Sequence, residues 1–183
     1  MPVTTLDPTT ALILVDLQQG ITALPTVHPA DEVVARGAEL AAAFRTKGLP
    51  VVLVNVAGAA PGRTEAPPRG RAYPPGFAEL RPELGRREDD ILVTKRTWGA
   101  FHGTDLDERL RRRGVTQVVI GGIATGMGVE STARAAHEHG YHVTVVTDAV
   151  TDPDAERHRV AVEKVFPLLG ETAATADVLA LLG

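Results

Sequence analysis

Short runs that are apolar at odd and even positions alike recur along this chain, and each is followed by a segment whose apolar residues return at helical spacing. The strand-length runs are "ALILVD" (11–16), "PVVLVNV" (50–56), "DILVTK" (90–95), "QVVIGG" (117–122) and "HVTVVTD" (142–148). Helical spacing marks 31–47, stopped by Gly48, and 104–113, opened by Thr104 as an N-cap and ended by Gly114. It marks 128–139, stopped by Gly140, and 154–166 as well, and the final "ETAATADVLALLG" reads as a short strand and a last helix. A strand apolar on both faces must be covered on both faces, which is the condition of a parallel sheet between two layers of helices. The alternation therefore predicts an α/β protein, a three-layer αβα Rossmann-like fold with a mostly parallel sheet of about six strands.

A length of 183 residues fits a single domain spanning 1–183. The chain has no cysteine, which removes disulfides, zinc–thiolate sites and cysteine nucleophiles together. A net charge of −4 and a pI near 5.9 give no electrostatic reason to expect a nucleic-acid partner. The basic run "RLRRRG" (109–114) falls at a helix C-terminus, where it complements the helix dipole. The N-terminus lacks a charged, then apolar leader, and no window approaches ~18 consecutive apolar residues, so a soluble, cytoplasmic protein is expected, with no membrane partner.

In open parallel sheets ligands bind beyond the carboxyl ends of the strands. Asp16 closes the first run, Lys95 the third, and "GGIATGMG" (121–128) follows the fourth. A carboxylate, an ammonium and a glycine-rich loop thus converge on one rim. Segment 57–89 is rich in Pro, Gly and Arg and has little periodicity; an irregular stretch of that length inside a compact domain is more often functional than idle.

The glycine loop admits more than one reading. Gly126 and Gly128 open a helix after a strand, and Asp148 ends the next strand, as a dinucleotide site would require. The third glycine of that pattern is here Ser131, however, and the unit is the fourth rather than the first. Taken alone, Asp16 could cap the turn that follows it and Lys95 could be a surface lysine.

Taken together, "LILVDLQQG" and "VTKRTWGAFHGTDLDERLRRRGVTQVVIGGIATGMGVESTARAAHEHGYHVTVVTDAV" resemble the isochorismatase-like hydrolase superfamily over about residues 10–182. The resemblance implies an aspartate and a lysine acting together, at Asp16 and Lys95. It also implies a non-proline cis peptide that maps to Ile123–Ala124. At the position of the usual family cysteine stands Gly128. Relatives with the thiol form acyl intermediates on amides; isochorismatases proper dispense with it and carry glycine there. The resemblance thus implies a cofactor-independent hydrolase in which water cleaves a small, isochorismate-like enol ether, Asp16 is the general acid and Gly128 leaves room. The alternatives are a catalytically idle member serving as a small-molecule binder or oligomeric interaction protein, or an amidase working without cysteine. Relatives are usually oligomeric, so a homodimer or homotetramer is expected.

Ala124 and Thr125 of the loop, with Trp98 and Phe101 after the lysine, are the expected substrate-binding residues. Arg63, Arg69, Arg71 and Arg96 are candidates for holding a substrate carboxylate. Thr125 and Ser131 carry hydroxyls, but no histidine is placed by motif to activate either. His137, His139 and His142 do not share a helix face, and "NVAGAAPGR" after the second strand lacks the Asp-x-His of metal-binding relatives, so no metal is implied. Glu130 and Arg134 are spaced for a helix-surface ion pair.

Overall fold

The computed structural model describes residues 3–65 and 73–183. Six strands form one all-parallel sheet: β1 (Thr10–Val15), β2 (Val51–Val56), β3 (Ile91–Lys95), β4 (Gln117–Ile123), β5 (His142–Thr151) and β6 (Glu171–Ala173), in the order β3-β2-β1-β4-β5-β6. The doubly apolar strands are divided between two cores. Ile13, Val15, Val52, Val54, Val118 and Ile120 face one helical layer, while Leu12, Leu14, Leu53 and Val119 face the other.

The first layer holds α3 (Leu106–Arg112), α4 (Glu130–Glu138), and α5 (Ala155–Val160), which continues through a wide turn at 161–165 into α6 (Phe166–Leu169). The second holds α2 (Ala30–Thr46) and α7 (Thr175–Leu182), which bury Val34, Leu40, Phe44 and Val178. A one-turn helix α1 (Gln19–Thr22) follows β1. Arg45 of α2 holds Asp90, at the head of β3, with two parallel hydrogen bonds of 3.0 and 2.7 Å, and both side chains are buried.

Several boundaries differ from the sequence expectation. Thr104 does not occupy the N-cap of α3; that place is Asp105, while the Thr104 hydroxyl donates to the carbonyl of Ala100 and receives the Leu106 amide. The helical segment expected over 128–139 opens earlier, as a wide turn over Thr125–Val129. The fifth strand runs three residues further, to Thr151. Within the 57–89 segment, Pro82–Leu84 form a 3₁₀ turn and Leu80 bridges antiparallel to Gln18.

The strand order reverses at β1 and β4, and the crevice between their carboxyl ends is where such a sheet opens for a ligand. The strands approach closely there. A Cβ on Gly122 would lie 2.1 Å from the carbonyl oxygen of Val15, and Gly122 has φ 127°, so no other residue fits. The peptide between Ile123 and Ala124 is cis.

Candidate active site

Asp16 is the first residue beyond β1 and turns the chain out of the strand with φ 53°, a left-handed conformation that Asp tolerates better than most residues. Its amide still donates to Val54. Its carboxylate accepts a 2.7 Å hydrogen bond from Lys95 Nζ on Oδ2. Lys95 continues the inward alternation of Ile91 and Val93 on β3. Two strand spacings, about 10 Å, separate β3 from β1, so the long lysine stem is what lets the pair meet. Both side chains are buried, at 1% and 7% exposure for Lys95 and Asp16. Lys95 also donates to the carbonyl of Thr97 at 3.2 Å. Asp16 therefore does not cap α1, and Lys95 is not a surface residue.

Burial pushes the Asp16 carboxyl up to about 6, against the attraction and hydrogen bond of Lys95, which pull it down. The second carboxylate oxygen, Oδ1, is buried and has no hydrogen-bond partner among the described residues; neither has the Thr97 hydroxyl. An unpaired buried carboxylate oxygen is costly to keep.

Gly128 completes the floor. A Cβ placed on it would lie 3.1 Å from Val15 Cγ1, 3.3 Å from Asp16 Oδ2 and 3.5 Å from the Trp98 carbonyl. Glycine thus lets the main chain pack directly against Asp16, where even a methyl group would crowd its neighbours. The structure brings Asp16, Lys95 and Gly128 together, with Ala124 half-buried on the loop that leads to Gly128.

The aromatic residues separate. Trp98 is 58% exposed and lines a cavity of about 430 Å³ with Thr97, Gly99, Ser131 and Ala135, one side of which is the first turns of α4 beyond Gly128. Phe101 belongs instead to the hydrophobic core. It is buried, lies against Tyr141 and His139, and cannot contact a ligand in that cavity. Thr125 is also corrected as a side-chain contact: it is fully buried and its hydroxyl lies 2.9 Å from His158 Nδ1. A histidine thus does pair with this threonine, from a helix 33 residues further along the chain.

Of the arginines, Arg63 and Arg96 are exposed, and Arg69 and Arg71 lie outside the described residues. Asp148 is spent on Arg36 and on the Thr175 amide and hydroxyl, and the Gly126 amide on Asp152, so neither is left for a dinucleotide. Glu130 and Arg134 form the expected ion pair at 2.9 Å. Among the described residues no three His, Asp or Glu side chains gather in a metal-binding group, and no helix is long and apolar enough to cross a membrane.

Gln18 escaped the sequence reading. It is fully buried, donates to the carbonyls of Val56 and Phe77, and accepts the Val56 amide, thereby tying the segment after β1 to that after β2. In "DLQQG" nothing local distinguishes Gln18 from Gln19, so its nearness to Asp16 was the available signal.

The isochorismatase domain family matches residues 10–177. The uncharacterized isochorismatase family protein YecD of Escherichia coli O157:H7 is 41% identical over 180 residues, covering 93% of this chain and 95% of its own. The ureidoacrylate amidohydrolase RutB of Methylobacterium radiotolerans is 31% identical over 211 residues, covering 97% and 81%. The solved structure of an isochorismatase family protein from Burkholderia thailandensis superposes with a TM-score of 0.93 at 48% identity, over 97% of each chain.

Proposed function

The chain belongs to the isochorismatase family of hydrolases, and from that premise we propose that it cleaves a small enol ether of the isochorismate kind with water, Asp16 serving as general acid. The observation that carries this reading is the buried Asp16–Lys95 pair, in which Asp16 keeps an unpartnered oxygen, Oδ1, and packs directly against Gly128.

The reaction needs no protein nucleophile. Asp16 gives its proton to the terminal vinyl carbon, leaving an oxocarbenium ion. Water adds to the cationic carbon and returns a proton to the carboxylate. The resulting hemiketal collapses, breaking the ether C–O bond to release pyruvate and the alcohol. With the carboxyl at about 6, roughly one Asp16 in ten carries its proton at neutral pH, enough for an acid that is reloaded in every turnover. Lys95 orients the carboxyl and steadies the anion formed on proton transfer. Trp98 offers an exposed aromatic wall, and Ala124 the main chain of the cradle.

A second reading, hydrolysis of a small amide by direct attack of water, is favoured by the likeness to RutB. In it Asp16 acts as base, and turnover rises with pH rather than falling. The test is pyruvate release from isochorismate, followed by coupled reduction with lactate dehydrogenase, for the wild type beside Asp16→Asn. Turnover lost in the folded variant supports the enol-ether reading; turnover kept by Asp16→Asn refutes the role of Asp16. If the wild type releases no pyruvate, isochorismate is rejected as the substrate.

A further inference from the structure

The loop that leads to Gly128 is gripped from behind by residues that the reaction above does not use. Thr125 is fully buried and its hydroxyl meets His158 Nδ1 at 2.9 Å. The next residue, Gly126, donates its amide to Asp152 Oδ2, also at 2.9 Å. Asp152 is fully buried, accepts the Asp154 amide and is held by the Arg157 guanidinium. Arg157 and His158 are consecutive on α5, whose first turn is capped by the Asp154 side chain.

One jaw, His158, lies on α5 and the other, Asp152, is held to α5 by Arg157, and they close on two adjacent loop residues. The fit is close: a Cβ on Gly126 would lie 2.2 Å from Arg157 Cγ. His158 is braced in turn. The His28 ring stands edge-on to it at 5.1 Å between centroids, and the His28 backbone both donates to and accepts from the Thr151 hydroxyl. Burial, with His28 alongside, holds His158 below the usual imidazole range, so the ring is neutral at pH 7 and offers one donor and one acceptor.

We propose that His158 is a positioning residue, fixing the loop through the Thr125 hydroxyl so that Gly128 stays seated against Asp16. This rests on the reading of the loop as the substrate cradle. His158 touches no reacting atom; it acts through Thr125, three residues before Gly128. Asp152 holds the same loop by a second bond, so loss of His158 loosens the cradle without unfolding the sheet.

The experiment compares wild type, Thr125→Val, Thr125→Ser, His158→Gln and the Thr125→Val/His158→Gln double variant as full chains. Amide hydrogen exchange is read by NMR without any ligand. Exchange of the Gly126, Met127 and Val129 amides is expected to quicken tenfold or more in Thr125→Val and His158→Gln, with β1 and β4 amides unchanged. Thr125→Ser, which keeps the hydroxyl, restores slow exchange, and the double variant is no faster than either single one, because both remove one shared interaction. Where turnover is found, kcat falls by a similar factor while KM stays within twofold.

Loop exchange within twofold of wild type in His158→Gln overturns the proposal, as does a multiplicative double variant. A fall in turnover with unchanged exchange overturns it too. His158 is only half-buried, so its replacement carries the test even if Thr125→Val does not fold. Exchange does not depend on turnover: a wild type that cleaves no enol ether refutes the proposed function and leaves this experiment decisive.

Discussion

Replacing Lys95 by Met keeps the buried stem and removes the ammonium, which isolates what that charge does to Asp16. In the wild type the carboxyl sits at about 6 because burial outweighs the attraction and hydrogen bond of Lys95. The variant loses both opposing effects. A hydrogen bond between charged groups is worth about 1.5–3 kcal/mol, or about 1–2 pH units at 1.36 kcal/mol each, which moves the Asp16 carboxyl to roughly 7–8. For a carboxyl raised above its ordinary 3.8, folding favours the neutral form. Its contribution to stability is complete below that ordinary value and is lost as pH rises through about 6, on the order of 3 kcal/mol in the wild type. In Lys95→Met the loss continues to roughly pH 8, while near pH 5 the carboxyl is neutral and no buried charge is left unpaired. Denaturant midpoints should therefore nearly coincide at about pH 5 and diverge at about pH 8. In the pyruvate-release assay, kcat/KM of the wild type should rise as pH falls through about 6, and the same limb in Lys95→Met should lie about 1–2 units higher, although its maximum is lower. A limb that stays in place, or moves to lower pH, would falsify the assignment of Asp16 as the titrating acid.

Gly128→Ala puts a methyl 3.1 Å from Val15 Cγ1 and 3.3 Å from Asp16 Oδ2. Overpacking of about 1–3 kcal/mol, partly offset by the 0.5–1 kcal/mol roughly gained by Ala over Gly in a helical turn, leaves about 1 kcal/mol of net loss. Calorimetry should show Tm lower by roughly 2–4 °C, while turnover falls at least about tenfold because the methyl crowds Asp16 out of its place beside the loop. Trp98→Ala removes an exposed ring and should leave Tm unchanged. If the ring stacks on substrate, loss of about 1 kcal/mol raises KM roughly fivefold, and an unchanged KM removes Trp98 from the binding surface.

Residues whose role depends on their place along one strand were legible in the sequence, and residues whose role depends on a distant partner were not. Asp16 and Lys95 could be found because strand ends are readable from doubly apolar runs, and parallel strands present their carboxyl ends on one rim. The sheet order, by contrast, follows from which strands pair, which no local pattern encodes.

Phe101 shows the same limit at short range. Trp98 and Phe101 are three residues apart in a segment without regular structure, so neither period applies. The strap at 97–99 sends Trp98 outward and Phe101 into the core against Tyr141, 40 residues away by sequence number. Thr125 and His158 are separated by helix α4 and strand β5, and nothing about a threonine in a glycine loop announces an imidazole behind it. Asp152 was more nearly within reach. An aspartate just past β5, two residues before the N-cap Asp154, is a polar residue at a carboxyl end, on the same rim that singled out Asp16. The rim criterion finds such groups; both are buried, and their hydrogen bonds tell the candidate acid from the residue that holds the loop. Asp16 keeps an unpaired oxygen, whereas Asp152 spends both of its oxygens on Gly126, Asp154 and Arg157. That difference in hydrogen bonding, more than position, is what separates the candidate acid from its support.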